Sequence, residues 1–314
     1  MDQNSEHGTS RDSNRWIGGI VPPLVTPLLA TDVLDEAGLQ RLIEHVIAGG
    51  VSGIFILGTT GEAPSLSYRL RRELIKRTCL SVQGRVPVLV GVTDTSLVES
   101  LQIASCAADS GAAAVVLSTP YYFPAGQTEL RRYIEHFATQ SPLPIMLYNM
   151  PSLTKVWFDL ETILHLSELK EIVGIKDSSG DKEYFESLLT TRKVRPDWSL
   201  FVGPEHLTAW ATQRGADGGV NGGANVFPDL FVQLFQAASN QNLTRLTELQ
   251  QIVEQFQAIY DVGKYASRHI KATKCALSLM EICQDVLAAP FNHFLPPQKD
   301  KVRAILDSLN WKKS

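Results

Sequence analysis

The sequence predicts a (β/α)₈ barrel followed by a helical extension, and three observations lead to this prediction. From Ile20 onward, short apolar runs rich in β-branched residues alternate with longer amphipathic stretches, which is typical of a βαβ series. There are eight such runs, and polar or ionisable residues follow several of them. A barrel of parallel strands gathers such residues at one mouth, because its sites are built at the C-terminal strand ends.

The strand candidates follow one another at regular intervals, each before a loop and a helical pattern. They are Ile20–Thr26, Gly53–Leu57, Val86–Val90, Ala114–Ser118, Ile145–Tyr148, Ile172–Lys176, Leu200–Gly203 and Gly218–Asn221. Some helix starts can also be predicted: Ser67 is an N-cap candidate, and Thr95 or Ser96 caps a helix that runs through Ala108.

After the last strand the pattern becomes purely helical. Helical periods cover Phe227–Ser239, Leu243–Tyr260 and about Lys264–Cys283, with no convincing strand between them. We therefore expect a disordered tail over residues 1–15, a barrel over 16–239 and a helical extension over 240–314.

The alternative architecture is an open doubly wound sheet. That fold usually carries a glycine-rich phosphate loop after its first strand. Pro22, Pro23 and Pro27 occupy this region instead, so the barrel is favoured.

Composition narrows the class of protein. A chain of 314 residues with 44% hydrophobic and 20% charged residues can bury the core of one barrel and its appendage. A net charge of −4 argues against a nucleic-acid partner, and no run approaches the roughly 18 apolar residues of a membrane span. Four cysteines without a CxxC pair and a polar start without a signal peptide favour a reducing cytoplasm. We expect small-molecule partners.

Lys176 ends an apolar strand and is followed by a small polar turn, Asp177-Ser178-Ser179-Gly180. A lysine buried at a barrel mouth loses hydration, which favours the free amine that attacks carbonyl carbon. The competing interpretation is a surface lysine at the start of a loop, which is the usual role of a lysine.

Tyr148 ends the preceding strand in the run Tyr148-Asn149-Met150-Pro151. Beside Lys176, its phenol could deliver and remove the protons that carbinolamine formation and dehydration require. A core aromatic before a proline turn is an equally good interpretation of the motif by itself.

Two further runs lie at candidate strand ends. Gly58-Thr59-Thr60-Gly61-Glu62 combines glycine flexibility with hydroxyls and amides that suit an anion, although it could be an ordinary turn with Glu62 as a buried hydrogen-bonding residue. Pro120-Tyr121-Tyr122-Phe123-Pro124 supplies another phenol or simply packs. Together the four runs form a constellation that packing alone does not predict.

With these motifs the sequence resembles the dihydrodipicolinate synthase and N-acetylneuraminate lyase superfamily of lysine Schiff-base aldolases and lyases. The resemblance covers about Ile20–Pro228 and includes the four runs. It also includes Pro23-Leu24-Val25-Thr26-Pro27 and Gly222-Gly223-Ala224-Asn225.

The resemblance implies a role for each matching residue. Lys176 would be the Schiff-base nucleophile and Tyr148 the proton shuttle, and Thr59 with Tyr122 would complete a hydroxyl relay. Thr60, Gly58 and neighbouring amides would hold the carboxylate of a 2-oxo acid, and the carbonyl of Val220 would line the pocket. The tyrosine matching Tyr122 commonly reaches a neighbouring subunit's site, which implies a homo-oligomer, often a tetramer.

The second substrate is less clear, because two positions depart from the family pattern. Leu153 stands where dihydrodipicolinate synthases carry an arginine for the aldehyde's carboxylate, and Lys155 is a weak substitute. Glu205, in Gly203-Pro204-Glu205-His206, could bind a sugar hydroxyl, but the run is not a clean match to sialic acid lyases.

We therefore expect an aldolase or dehydratase acting on a 2-keto-3-deoxy sugar acid. The alternatives are 4-hydroxy-tetrahydrodipicolinate synthase, N-acetylneuraminate lyase and a non-catalytic barrel that binds a 2-oxo acid. Seven histidines without an HxH or HExxH arrangement give a metal-dependent aldolase no support. No organic cofactor is implied either, because the lysine itself anchors the electron sink.

Overall fold

A computed structural model describes residues 15–309 and 311, and it contains the predicted barrel. The parallel strands pair in sequence order from β2 to β8, and β8 pairs with β1. The predicted (β/α)₈ fold is confirmed. The predicted disordered tail, residues 1–15, lies outside the described residues apart from Arg15. The strands are β1 Gly19–Ile20, β2 Ile54–Ile56, β3 Val88–Gly91, β4 Ala114–Ser118, β5 Ile145–Asn149, β6 Ile172–Asp177, β7 Ser199–Val202 and β8 Gly218–Gly219.

The barrel closes between β1 and β2 through an irregular segment rather than a long ladder. The amide of Leu24 donates to the Phe55 carbonyl at 2.8 Å, and the amide of Phe55 donates to the Pro22 carbonyl at 3.0 Å. Because Pro22 and Pro23 lack amide protons, they cannot donate to a ladder. This explains why β1 is shorter than the predicted strand Ile20–Thr26.

Among the described residues, eight helices of six residues or more lie outside the barrel ahead of the C-terminal extension, and a single helical turn, Pro151–Thr154, directly follows β5. Ser67 and Ser96 cap α2 and α3 as the sequence predicts: the Ser67 hydroxyl accepts from Leu70 N, and that of Ser96 from Glu99 N. A short hairpin, Leu28–Ala30 with Val33–Leu34, precedes α1. The helices are α1 Glu36–Ala48, α2 Tyr68–Val82, α3 Leu97–Asp109, α4 Gln127–Ala138, α5 Leu160–Leu166, α6 Lys182–Leu189, α7 Thr208–Gln213 and α8 Pro228–Ser239.

Three helices form the C-terminal extension: α9 Leu243–Gln257, α10 Arg268–Leu279 and α11 Pro296–Ser308. Their apolar residues, such as Leu249, Phe256 and Leu277, belong to the same buried cluster as the barrel helices. This shared core holds the extension against the barrel. Over residues 15–309, no helix is long and apolar enough to cross a membrane.

Candidate active site

Lys176 and Tyr148 are direct neighbours at the C-terminal ends of β6 and β5. They are paired in the parallel register, as expected from a barrel. The Lys176 side chain is buried, with 5% of the residue exposed. Its Nζ lies 4.1 Å from the centroid of the Tyr148 ring and 5.3 Å from that of Phe55. The lysine therefore projects among aromatic faces inside the barrel.

Tyr148 connects Lys176 to the loop that follows β2. Its hydroxyl lies 3.3 Å from Thr59 Oγ1, and either oxygen can donate. The ring packs edge-to-face on Phe55 with centroids 6.4 Å apart. Lys176 thus lies over the ring of Tyr148, and the Tyr148 hydroxyl in turn meets Thr59, in an otherwise apolar barrel interior.

The loop Gly58-Thr59-Thr60-Gly61 is pressed against the segment after β1. A Cβ at Gly61 would lie 3.0 Å from the Leu24 carbonyl oxygen, so only glycine fits without a shift. The Thr26 hydroxyl donates to the Gly61 carbonyl at 2.7 Å. This close approach fixes the position of Thr59 and Thr60 at the mouth.

Glu62 ends this loop and contacts the extension. Its carboxylate pairs with Lys274 at 2.6 Å, and both side chains are 0% exposed. Sequence reasoning considered Glu62 as a buried hydrogen-bonding residue but missed Lys274. A signal was present, because Ile270, Thr273, Lys274 and Leu277 fall on one helix face that is otherwise uncharged.

The ends of β5 and β6 are also tied together by side chains. Asn149 Nδ2 donates to Asp177 Oδ1 at 2.7 Å, and the Ser179 hydroxyl donates to Asp177 Oδ2 at 2.8 Å. Burial raises the pKa of Asp177 above its ordinary value. These bonds hold the residues that directly follow Tyr148 and Lys176.

A cavity of about 640 Å³ opens above Lys176. Its size is within the range of small-molecule sites, about 300–1,000 Å³. A second cavity of about 330 Å³ adjoins it and includes Gly58. Residues that line both cavities are Thr59, Tyr148, Met150, Leu153, Ala266 and Ile270. Predicted site residues that line the larger cavity are Thr59, Thr60, Tyr148, Leu153, Lys176, Glu205 and Val220.

Glu205 is the only carboxylate among the described residues that line the larger cavity. Its Oε1 accepts from the Gly223 amide at 2.5 Å and from the Tyr260 hydroxyl at 3.0 Å. Gln257 donates to Oε2 at 3.4 Å. Burial raises the pKa of Glu205. Because a carboxylate can accept about four hydrogen bonds, this group keeps the capacity for one more.

The far wall of the larger cavity comes from the extension and carries cationic side chains that sequence reasoning missed. Lys264 and Arg268 line it together with His269. Burial lowers the pKa of His269, with a further contribution from Arg268. No local pattern signals this wall, because it forms only when the extension folds back over the mouth.

Leu153 and Lys155 occupy different surroundings. Leu153 is 45% exposed and lies between the two cavities. The Lys155 amine donates to the carbonyl of Ser152 in its own turn at 2.7 Å. Lys155 is thus held by the loop rather than directed to the cavity.

Tyr122 is not brought to the site of its own chain. It is 83% exposed and packs edge-to-face on Phe123 with centroids 5.0 Å apart. Its neighbour Tyr121 lines the smaller cavity instead. Across residues 15–309, no three His, Cys, Asp or Glu side chains come together to hold a metal ion.

Comparison with known proteins identifies the family. Residues 16–309 match the Dihydrodipicolinate synthetase family. The 4-hydroxy-tetrahydrodipicolinate synthase of Salinibacter ruber is 37% identical over 72% of this chain and 74% of that protein. The probable 2-dehydro-3-deoxy-D-pentonate aldolase YjhH of Escherichia coli is 33% identical over 77% of this chain and 81% of that protein.

A solved structure extends this likeness to three dimensions. The dihydrodipicolinate synthase structure from Bacteroides thetaiotaomicron matches with a TM-score of 0.92 and 52% identity, covering 94% of this chain and 100% of that one. The resemblance found in the motifs is confirmed over nearly the whole chain. The chain therefore belongs to the dihydrodipicolinate synthetase family, and it is a lyase of the class that acts through a lysine Schiff base.

Proposed function

We propose that this enzyme forms an imine between Lys176 and a 2-oxo acid, and that its full substrate is a 2-keto-3-deoxy sugar acid. The observation that carries the first part is the contact between buried Lys176 and Tyr148, whose hydroxyl meets Thr59. The reaction is an aldol cleavage, the reverse condensation or a dehydration, since all three pass through one enamine.

The chemistry follows from these neighbours. The Lys176 amine attacks the 2-oxo carbon to give a carbinolamine, and loss of water gives the imine. The Tyr148 hydroxyl donates a proton to the departing oxygen and regains it through Thr59. The protonated imine then withdraws electrons from C3. In the cleavage, the Tyr148–Thr59 pair takes the proton of the C4 hydroxyl, the C3–C4 bond breaks, and an aldehyde and a neutral enamine remain. In the dehydration, loss of a C3 proton gives the enamine first, and its electrons then expel the C4 hydroxyl, which leaves as water and gives a conjugated unsaturated imine.

The carboxylate of the 2-oxo acid binds at the Gly58–Gly61 loop in this proposal. The Thr60 hydroxyl and the loop amides supply donors, and a nest of such donors favours an anion. Val220 lines the opposite side of the pocket near Lys176. The acid is thereby held with its carbonyl carbon toward the amine.

Tyr122 completes the relay only from a second copy of the chain. Its ring is exposed and outside the cavity of its own chain, so it can serve a neighbour's Thr59. We therefore include a homo-oligomer, dimer or tetramer, in the proposal.

The proposal of a sugar-acid substrate rests on Glu205 and Leu153, which line the larger cavity. Glu205 keeps one free acceptor site for a substrate hydroxyl. Leu153 offers no charge where a carboxylate-bearing aldehyde is held in dihydrodipicolinate synthases. The 33% identical relative YjhH carries the name of a pentonate aldolase, in keeping with this substrate class.

A second candidate is 4-hydroxy-tetrahydrodipicolinate synthase, which condenses pyruvate with aspartate semialdehyde. Lys264 and Arg268 favour it, because they line the same cavity as Lys176 and can bind a second carboxylate. The names of the Salinibacter relative and the Bacteroides structure favour it as well.

Borohydride trapping tests the imine. With pyruvate and borohydride, we expect one covalent adduct on wild-type enzyme, located on Lys176 by peptide mass spectrometry. The K176Q variant should give none, whereas K155Q, a nearby lysine held by its own turn, should react normally. Absence of an adduct on the wild type would overturn the proposal.

Turnover of an aldehyde panel decides between the two candidates. Pyruvate is combined with glyceraldehyde, glycolaldehyde, N-acetylmannosamine or aspartate semialdehyde, and R268Q is assayed in parallel. For a sugar-acid enzyme, the short hydroxyaldehydes react best and R268Q retains their turnover. Efficient use of the semialdehyde, about 10⁴ M⁻¹s⁻¹ or above, lost in R268Q, would instead establish the second candidate.

A further inference from the structure

A fully buried ion pair joins the end of the Gly58–Gly61 loop to the C-terminal extension. Lys274 Nζ and Glu62 Oε1 are 2.6 Å apart with both side chains 0% exposed. They are separated by 212 positions in the sequence. The desolvation of two buried charges often outweighs their attraction, and replacing such a pair with apolar groups is often neutral or stabilising. Stability alone is therefore a weak explanation for this pair.

Both partners are also held by the backbone of the segment after α10. The Lys274 amine donates to the Val286 carbonyl at 2.7 Å, and Glu62 Oε2 accepts from the Ala288 amide at 3.0 Å. The Glu62 carboxylate is thus fixed by two parts of the extension at once, since Lys274 lies in α10.

The backbone of Glu62 transmits this restraint to the loop. Glu62 has a left-handed conformation with φ 58°, which is unfavourable for a residue with a side chain and persists where surrounding contacts enforce it. Its amide donates to the Thr59 carbonyl at 3.0 Å. The position of Glu62 therefore sets the position of the Thr59 peptide.

The other end of the pair belongs to the opposite wall of the cavity. Helix α10 carries Arg268, His269 and Thr273 along the larger cavity, and Thr59 and Thr60 line the same cavity from the loop. The ion pair thus spans the two structural units whose separation defines the width of the site.

We propose that Glu62 and Lys274 are positioning residues, which hold the Gly58–Gly61 loop and α10 at the separation at which Thr59 and Thr60 bind the substrate carboxylate. This inference rests on the proposed function. Neither residue touches the substrate, and both act through the Thr59 peptide. Loss of the pair therefore weakens pyruvate binding much more than it slows the imine-forming step on Lys176.

The double variant E62Q/K274M provides the test. Each single change leaves a buried charge without its partner, whereas the double change removes both charges, with Gln matching Glu in size and Met one atom shorter than Lys. Pyruvate concentration is varied in the borohydride trapping assay. We expect the half-saturating concentration to rise roughly tenfold, about 1.4 kcal/mol of binding free energy. The trapping rate at saturating pyruvate should change far less.

The matched control is D217N, at the other end of the barrel. Asp217 precedes β8, is buried, and pairs with Arg192 at 2.6 Å and with Arg15. Loss of the Asp217 charge also breaks ion pairs of a buried carboxylate, with partly exposed arginines, at the N-terminal end of β8 and away from the loop. D217N should lower the free energy of unfolding and leave half-saturation by pyruvate unchanged.

The outcomes separate this inference from the proposed function. Absence of an adduct on the wild type overturns the Schiff-base assignment. An adduct on the wild type, with a folded E62Q/K274M that half-saturates at the wild-type pyruvate concentration, overturns the positioning role alone. An equal rise in the half-saturating pyruvate concentration of D217N also overturns the positioning role. If the double variant does not fold, E62Q alone is measured, and an unchanged half-saturating concentration rejects the role.

Discussion

Replacing Tyr148 with phenylalanine tests the proton-transfer role that we propose for its hydroxyl oxygen. The ring contacts stay in place: Lys176 Nζ at 4.1 Å from the centroid and the Phe55 ring at 6.4 Å. The one hydrogen bond lost, to Thr59, is 3.3 Å long, which is beyond the usual range for oxygen pairs. The variant thus removes a reactive group with little disturbance of the packing.

The expected effects differ strongly in size. A hydrogen bond of this kind contributes about 0.5–1.5 kcal/mol to stability, so we expect the Tm to fall by a few degrees at most. A positioned general acid or base contributes about 10²–10⁴ in rate. We therefore expect Y148F to form the pyruvate imine roughly 100-fold or more slowly.

Rapid mixing with pyruvate, quenching with borohydride and intact-mass measurement give the rate directly. Y184F is the control, because the Tyr184 hydroxyl also donates a hydrogen bond, to the Phe158 carbonyl at 2.5 Å, outside the site. Y184F should be less stable than the wild type but should form the pyruvate imine at the wild-type rate. Imine formation by Y148F at the wild-type rate, or equal slowing in Y184F, would refute the proton-shuttle role.

Three further predictions concern the same cavity. L153R should raise kcat/KM for aspartate semialdehyde by about tenfold or more, since a hydrogen bond to a charged group contributes about 1.5–3 kcal/mol. An unchanged kcat/KM would show that the side chain at position 153 does not bind the aldehyde. T59V should slow imine formation by less than Y148F, because the phenol remains; a larger loss would make the threonine the principal proton donor. Burial raises the pKa of Glu205, so the folded state keeps this proton more tightly and stability from Glu205 declines as pH rises above the ordinary glutamate range. Denaturant unfolding should therefore show the stability of E205Q rising relative to that of the wild type as pH increases from about 5. A difference in stability that does not change with pH would contradict a raised pKa for Glu205.

The strand ends could be predicted from the sequence because their signals are local. Tyr148 and Lys176 each follow a short apolar run, and the parallel register then places them side by side. The short β1 is harder to predict. Apolar content extends from Ile20 to Thr26, but two prolines withdraw the donors that a regular ladder needs.

Contacts over long sequence separations could not be predicted in the same way. Glu62 and Lys274 are 212 residues apart, and no local sequence pattern around either residue identifies the other as its partner. Lys264 and Arg268 reach the cavity only through the packing of α10 over the barrel mouth. A lysine on an apolar helix face indicates that some buried acid must exist, but not which one.

The extension has a consequence for redesign. The residues that we propose for imine formation, Lys176 and Tyr148, lie on barrel strands, whereas Lys264, Arg268 and His269, which line the larger cavity, follow α9. Grafting a relative's C-terminal helices onto this barrel should therefore change which aldehyde the enzyme accepts and retain imine formation on Lys176. Such a chimera must carry a lysine at the position of Lys274 and a backbone donor at that of Ala288, since Glu62 would otherwise remain in the graft as a buried, unpaired charge.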